Sequence, residues 1–193
     1  MKANVGMIYP VYAPVSSYTP GTSITYGTGG VVAEARSATL SWDRADGEFY
    51  GDDVLLDSDN GVLGYTLDFE PSGLSDTVRA ALLGETLASS EYSVTDAAAP
   101  DVGFGYVRKM RDNAGGTLAT TYEGWWFHKL KFSVSSEETR TKERSIEWRT
   151  PTLSGTGAGV QLSSADTLTF AVHQTFATLA LAKAWLNGKA GIT

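Results

Sequence analysis

The clearest hydrophobic pattern in this chain is an alternation that begins at His128. One side carries His128, Leu130, Phe132 and Val134, and the other carries Lys129, Lys131 and Ser133. A period of two residues predicts a half-buried β-strand, because successive side chains of a strand point to opposite faces. We therefore expect all four residues of the first set to face one side of a sheet.

The residues just before this alternation are apolar on both faces. Trp125, Trp126 and Phe127 follow one another, so a strand here presents aromatic rings to both sides. Such a strand needs cover on both faces, either from its own domain or from a neighbouring subunit. We therefore take these three residues as candidate self-assembly residues.

Further runs predict a mainly β chain. Strands are expected at 31–42, 63–69, 103–110, 146–153 and 167–173. The turn-forming segment DNAGG at 112–116 separates the third of these runs from the aromatic strand, which predicts a long hairpin. The first 30 residues are rich in Tyr, Pro, Thr, Ser and Gly and are expected to form an extended arm with turns.

Two helices complete the expected architecture. The first begins at the N-cap Ser75, has Asp76 in its first turn and ends at Gly84. The second runs from about 178 to 187 and ends at Gly188, with Leu186 on its apolar side. We expect one domain over residues 1–193.

Composition narrows the classes of protein. The 193 residues include no cysteine, so disulfides and thiolate metal sites are excluded. No apolar run is long enough for a signal peptide or a membrane span, so we expect assembly in the cytoplasm. A net charge of −7 disfavours simple electrostatic binding of nucleic acid.

The charge is unevenly distributed along the sequence. Residues 43–101 hold 14 acidic and 2 basic residues, whereas residues 106–149 hold 6 acidic and 9 basic residues. If the two segments form different surfaces, one subunit carries patches of opposite sign, which favour head-to-tail contact. The alternative is that the two charges average out in space.

Candidate catalytic and metal-binding residues are few. The two histidines, His128 and His173, lie in predicted strands with no Gly-x-Ser-x-Gly motif in the chain, which favours ordinary strand histidines. The acidic segment 52–61 lacks the spacing of a calcium loop and is interpreted as a solvated turn. The glycine clusters at 27–30 and 155–159 lack the Lys-Ser/Thr pair of a phosphate loop. We expect no cofactor.

A charged run follows the aromatic strand at 137–144. Its basic residues are Arg140, Lys142 and Arg144, and the run as a whole is nearly neutral. One interpretation is a solvated hairpin end. The other is a loop that docks on the next subunit, where mixed charges set the register of pairing. On the second interpretation these three residues join the candidate self-assembly interface.

Several short motifs occur in an order and spacing that resemble those of one family. They are NVG at 4–6, YAP at 12–14, GEFYGDD at 47–53, GYTLDFE at 64–70, LG at 83–84, GFGYV at 103–107, TK at 141–142, SIEWRTPTLSGT at 145–156, and Trp185. With these motifs, the chain resembles the major tail proteins, the tail-tube subunits of long-tailed bacteriophages. The likeness spans nearly the whole chain.

The resemblance implies a β-sandwich or barrel-like domain with one flanking α-helix and a short C-terminal helix. It implies a structural virion protein without catalytic residues, whose rings, of six subunits each, stack into a tube for genome ejection. The implied partners are other copies, the tape measure protein and the tail terminator, with DNA passing unbound. The implied location is the virion tail, assembled in the cytoplasm of the host bacterium.

Other classes remain open at this level. A carbohydrate-binding β-sandwich would use exposed Tyr122, Trp125 and Trp126 to stack on sugar rings. A hydrolase on a β scaffold is weaker, because no nucleophile with its base is visible. A head decoration or tail terminator protein would share the composition and stop at a single ring.

Overall fold

The computed structural model describes residues 2–52, 54–88, 91–96, 98–114, 117–138, 141, 150–164 and 167–193. The strands are β1 (Lys2–Thr19), β2 (Ser23–Tyr26), β3 (Gly30–Val31), β4 (Ala35–Arg44), β5 (Gly47–Gly51), β6 (Val54–Asp59), β7 (Val62–Pro71), β8 (Thr86–Ala88), β9 (Glu91–Ser93), β10 (Val102–Ala114), β11 (Thr117–Ser136), β12 (Thr152–Gly157) and β13 (Ala171–Phe176). The helices are α1 (Asp76–Leu83) and α2 (Leu179–Ala190). The predicted mainly β class with two helices is confirmed.

Nine strands form one antiparallel sheet in the order β2-β1-β10-β11-β12-β7-β4. Two further strands attach to this path, since β13 pairs with β11 and β3 pairs with β1. The predicted long hairpin is present as β10 and β11, paired from Val102 opposite Leu130 to Ala114 opposite Thr117. Two small hairpins, β5–β6 and β8–β9, stand apart from the large sheet.

The large sheet curls around one core and carries a second core on its other face. Strands distant in the sheet order, such as β1 and β7, contribute Tyr12 and Phe69 to the same buried cluster, together with Leu82 of α1. This cluster is called the inner core. The outer core lies beneath α2, where Ala182 and Leu186 pack against the opposite face of the central strands.

The ends of α1 follow from local chemistry, as the sequence predicted. The Ser75 hydroxyl accepts a hydrogen bond from the Val78 amide, which satisfies one free N–H of the first turn. Gly84 adopts a left-handed φ of 76° and its amide donates to the Ala80 carbonyl. The prediction for α2 is wrong at its end, because the helix continues through Gly188 to its cap at Gly191, where φ is 63°.

Two predictions about the strands are corrected. The first 30 residues are extended but belong to the sheet, since β1 pairs with β10 and Val11 and Ala13 are fully buried. In a regular strand, Phe127 and Leu130 would point to opposite faces, because they are three residues apart. A β-bulge in β11 adds one residue between them and brings both into the inner core. His128 therefore faces away from Leu130, toward Tyr26 beside the outer core.

No described helix is long and apolar enough to span a membrane.

Candidate functional site

The aromatic strand lies between the two cores of the subunit. Trp126 and Phe127 are both 0% exposed, with Trp126 in the outer core and Phe127 in the inner core. The cover that the sequence requires on both faces is therefore supplied by the chain's own elements. These two side chains present no surface to a neighbouring subunit, so the structure gives their assignment as interface residues no support.

Glycines on the strand beside β11 make room for the large indole of Trp126. A β-carbon at Gly103 would lie 2.4 Å from Cζ2 of Trp126, and one at Gly105 would lie 2.8 Å from its Cε3. Both distances are shorter than any ordinary contact, so only glycine fits opposite this ring. The motif GFGYV thus serves packing, with Phe104 and Tyr106 facing the inner core.

Trp125 lies at the border of the inner core and is covered from both neighbouring strands. The guanidinium carbon of Arg108 on β10 lies 4.5 Å from its ring centroid. The imidazole of His173 on β13 stacks on it at 4.6 Å with an interplanar angle of 12°. This ladder of cation, indole and imidazole ties three strands together through flat surfaces.

Glu123 completes the cluster around Trp125. One carboxylate oxygen accepts the indole N–H of Trp125 at 2.8 Å, and the other lies 3.1 Å from Nδ1 of His173. The side chain of Glu123 is 17% exposed, whereas that of His173 is 54% exposed. Both oxygens of Glu123 are thus engaged in holding rings, which is a positioning role rather than that of a general base.

His128 is buried in a different place, beside Tyr26. Burial, together with the positive charge of Lys189, lowers the pKa of His128 to about 4. Its imidazole is therefore neutral at pH 7. His128 and Trp126 each carry a buried ring nitrogen without a hydrogen-bond partner, Nε2 and Nε1 respectively. The polar contacts of the two histidines among the described residues are with tyrosine and glutamate, so no nucleophile pairs with either imidazole there.

The basic candidates from the charged run cannot be placed. Arg140, Lys142 and Arg144 lie outside the described residues, as does the first half of the strand predicted at 146–153, whose last two residues begin β12. The start of the run is placed, because Glu137 pairs with Arg79 of α1 at 3.3 Å. The docking of this run on a second subunit stays a prediction.

The acidic segment 52–61, predicted as a solvated turn, contains β6 and pairs with β5 to form a hairpin. Residues 43–61, here called the acidic hairpin, contain seven acidic residues and one basic residue. The hairpin continues the β4–β7 ladder, with the Ala45 amide donating to the Gly61 carbonyl. Three of its apolar side chains are more than half exposed, namely Tyr50, Val54 and Leu56. No described group of three His, Asp or Glu side chains is arranged to hold a metal ion.

The end of the predicted long hairpin forms a second element with the start of β1, a pairing that was not predicted from the sequence. Residues 2–7, 108–114 and 117–123 form a three-stranded extension of the sheet, here called the basic ribbon. It contains four basic and two acidic residues. Val5 and Leu118 are exposed on it by 55% and 66%. One sequence signal could have indicated this exposed element. Leu118 is a single apolar residue in a stretch of β11 that is otherwise too polar to be buried.

Comparison with known proteins gives no independent assignment. No protein-family model and no curated protein matches this chain. The functional assignment therefore depends on the sequence pattern and the geometry of the chain itself.

Proposed function

We propose that this chain is a structural subunit that assembles with copies of itself. The observation that carries the proposal is a pair of long strand edges without partners. β4 bonds to β7 on one side and, within the described residues, to no strand on the other. Among the described residues, the first part of β1, residues 2–8, pairs with β10 on one side and with no strand on the other. Free edges of this length invite pairing with another chain, and a closed ring covers each edge with a neighbour.

A groove separates the two free edges. Its volume is about 390 Å³, and its lining includes Met7 of β1, Ala35 of β4 and Leu179 of α2. β1 is irregular there, since Tyr9 has a left-handed φ of 59° and the register shifts between Ile8 and Val11. The two edges therefore come close without pairing with each other, so each edge is available to a strand from another copy.

The particular assembly that we propose is the tail tube of a long-tailed bacteriophage. The order of motifs that resembles the major tail proteins supports it, and so does a mainly β subunit with two flanking helices. In this proposal hexameric rings stack into a tube, bounded by the tape measure and tail terminator proteins, in a virion assembled in the host cytoplasm. We expect no enzymatic activity.

The acidic balance of the chain agrees with such a conduit. A net charge of −7 repels the phosphate backbone, so DNA would pass through without being held. We therefore propose a lumen that is neutral or negative. An assembled tube whose lumen is lined mainly by Lys and Arg would contradict this part of the proposal.

The alternative of a sugar-binding module is less well supported. It requires an exposed aromatic face, but Trp126 is fully buried. The ring of Trp125 is covered by Arg108 from one neighbouring strand and by His173 from the other. Of the three proposed stacking residues, only Tyr122 keeps a partly exposed side chain without such cover.

Electron microscopy of negatively stained protein tests the proposal directly. The protein is concentrated in steps at moderate salt, and sedimentation velocity is measured on the same samples. We expect rings or hollow tubes whose fraction rises with protein concentration, because each contact is a mass-action equilibrium. Single rings that never stack would favour a terminator or decoration protein.

A chain that stays monomeric at every concentration, even when mixed with preformed tail-tip complexes, would contradict the proposal. In that outcome a thermal-shift screen against oligosaccharides tests the alternative. A sugar that binds only the folded state raises the melting temperature as its occupancy rises.

A further inference from the structure

The acidic hairpin carries apolar side chains that its own subunit does not cover. Tyr50, Val54 and Leu56 are exposed by 56%, 60% and 61%. A two-stranded hairpin is marginally stable in water, and beyond its base on β4 and β7 the β5–β6 ladder pairs with no other strand among the described residues. Tyr50 pairs with Leu55 and Val54 pairs with Gly51, so Tyr50 and Val54 flank the turn on opposite faces of the hairpin. Exposed apolar side chains on both faces mark the tip of the hairpin as a surface that becomes covered on association.

The surroundings of these apolar residues are strongly negative. The acidic hairpin has a net charge of −6 over residues 43–61. Asp46, Glu48 and Asp52 are all exposed, and Glu48 accepts a hydrogen bond from the Tyr50 hydroxyl at 2.6 Å. A partner surface therefore needs apolar contacts with cations around them.

The basic ribbon of the same chain has these properties. Its net charge is +2, and Val5 and Leu118 are exposed by 55% and 66%. Lys109 is half-buried and Arg111 is exposed, and neither forms an ion pair within the described residues. Arg108 is already engaged on Trp125, whereas Lys109 and Arg111 remain for a partner.

We infer that the acidic hairpin of one subunit docks on the basic ribbon of a second copy of this chain. The tip of the hairpin, with Tyr50 on one face and Val54 on the other, packs against Val5 and Leu118 of the ribbon. The carboxylates of Asp46 and Glu48 meet Lys109 and Arg111. The contact is heterologous, since two different surfaces meet, and its repetition gives a ring where the rotation between copies closes. This inference rests on the proposed self-assembly and names the surfaces that carry it.

Charge reversal separates this contact from a general effect of charge. One variant carries Asp46→Lys and Glu48→Lys in the hairpin, and another carries Lys109→Glu and Arg111→Glu in the ribbon. We expect each alone to raise the protein concentration needed for assembly at least about tenfold, because like charges then face each other. Mixed in equal amounts, the two variants should assemble together, since in an alternating arrangement the charges at positions 46 and 48 of each copy are opposite in sign to those at positions 109 and 111 of the next.

The matched control places the same charge change on another exposed hairpin. Glu91→Lys and Asp96→Lys alter two exposed acidic residues in or next to β8–β9. This control should assemble like the wild type. Equal losses in the control and the hairpin variant, or a mixture that fails to assemble, would overturn the inference. Circular dichroism and melting temperature establish that each variant folds.

Cysteine trapping tests the contact even when no ring accumulates. The chain has no native cysteine, so one copy with Val54→Cys and a differently tagged copy with Leu118→Cys contain one thiol each. Mild oxidation should give the mixed dimer in clear excess over the two symmetric dimers.

The outcomes distinguish the inference from the proposed function. Rings without the mixed dimer would overturn the inferred contact and leave self-assembly standing. The mixed dimer without rings would support the contact and count against a tube. Neither rings nor the mixed dimer would overturn both, and the acidic hairpin would then be sought as a binding surface for other proteins.

Discussion

The Tyr26 hydroxyl lies 3.0 Å from Nδ1 of His128 and 3.0 Å from the carbonyl oxygen of the same residue. The hydroxyl has one hydrogen and donates it to the carbonyl, so we assign the imidazole hydrogen to Nδ1, which donates to the hydroxyl oxygen. The pair links β2 to β11, two strands that are not neighbours in the sheet. It also fixes the side of β11 on which His128 lies.

Removing this hydroxyl should destabilise the subunit. Tyr26→Phe keeps the ring, which packs edge-on against Trp126 at 5.2 Å, but leaves two buried groups of His128 without their partner. We expect a loss of about 1–3 kcal/mol in the free energy of unfolding, measured by urea denaturation. Tyr50→Phe, at an exposed tyrosine, is the control and should stay within about 0.5 kcal/mol of the wild type. Equal losses in both variants would contradict the assignment.

The burial of His128 predicts that stability falls as the pH is lowered. Its pKa is about 4 in the folded subunit, against 6.5 for a histidine in water, so between these values only the unfolded chain binds the proton. The contribution of neutral His128 to the free energy of unfolding is therefore fully present above about pH 6.5. It is lost as the pH falls from there to about 4. We expect this residue to contribute a decrease of about 2 kcal/mol between pH 7 and pH 5, measured by denaturation at each pH.

Replacing the titrating group isolates its contribution. His128→Gln keeps a polar side chain of similar length and should flatten the dependence of unfolding free energy on pH in this window. His173→Gln, at the exposed histidine, is measured in parallel. The same flattening in both variants, or none in His128→Gln, would show that the burial of His128 is not the source.

Two glycines should respond to alanine in opposite directions. A β-carbon at Gly157 would lie 2.0 Å from Cζ of Tyr65, a ring that is 1% exposed and cannot move aside. Gly157→Ala should therefore destabilise by about 1–3 kcal/mol through overpacking. Gly188 lies within α2 and a β-carbon there meets nothing within 4 Å, so Gly188→Ala should stabilise by about 0.5–1 kcal/mol. Thermal unfolding of both variants measures the contrast, and a common sign would contradict it.

The ion pair between Arg79 and Glu85 should matter more than the one between Arg36 and Glu70. The Glu85 side chain is 6% exposed and lies 2.6 Å from Arg79, whereas the Arg36 and Glu70 side chains are 52% and 30% exposed. Arg79→Ala leaves a buried carboxylate without its partner and should cost about 3 kcal/mol. Arg36→Ala should cost at most about 1 kcal/mol. Urea denaturation measures both losses. If the unpaired carboxylate is the cause, adding Glu85→Gln to the Arg79→Ala variant should restore part of the lost free energy of unfolding.

Short-range patterns predicted much of the fold. The long hairpin was visible in two apolar runs with DNAGG between them. The limits of α1 were visible in Ser75 and Gly84, because caps act through side chains and backbone groups within a few residues. The start of α2 was predicted at about 178, where the structure has its N-cap Thr178, while its end was misplaced because Gly188 is tolerated inside a helix that packs well.

Long-range pairing was not accessible in the same way. Proline and glycine near the start of the chain indicated an arm, but β1 pairs with β10 almost one hundred residues away, and that pairing buries Val11. The bulge that separates Phe127 from Leu130 is created by the register of β11 against β10, which no alternation within one strand reveals. His128 was consequently assigned to the wrong face.

The candidate assembly residues show the same difference between local patterns and long-range packing. The sequence by itself determined a mainly β chain, a strand that is apolar on both faces at Trp126 and Phe127, and opposite charges in separate segments. These are properties of composition and of local periodicity. Only the tertiary structure decided that α2 and the curled sheet cover that strand from within the subunit, and that exposed apolar residues lie on the acidic hairpin and the basic ribbon. The physical reason is that burial depends on which distant segments pack together, and packing is a property of the whole folded chain.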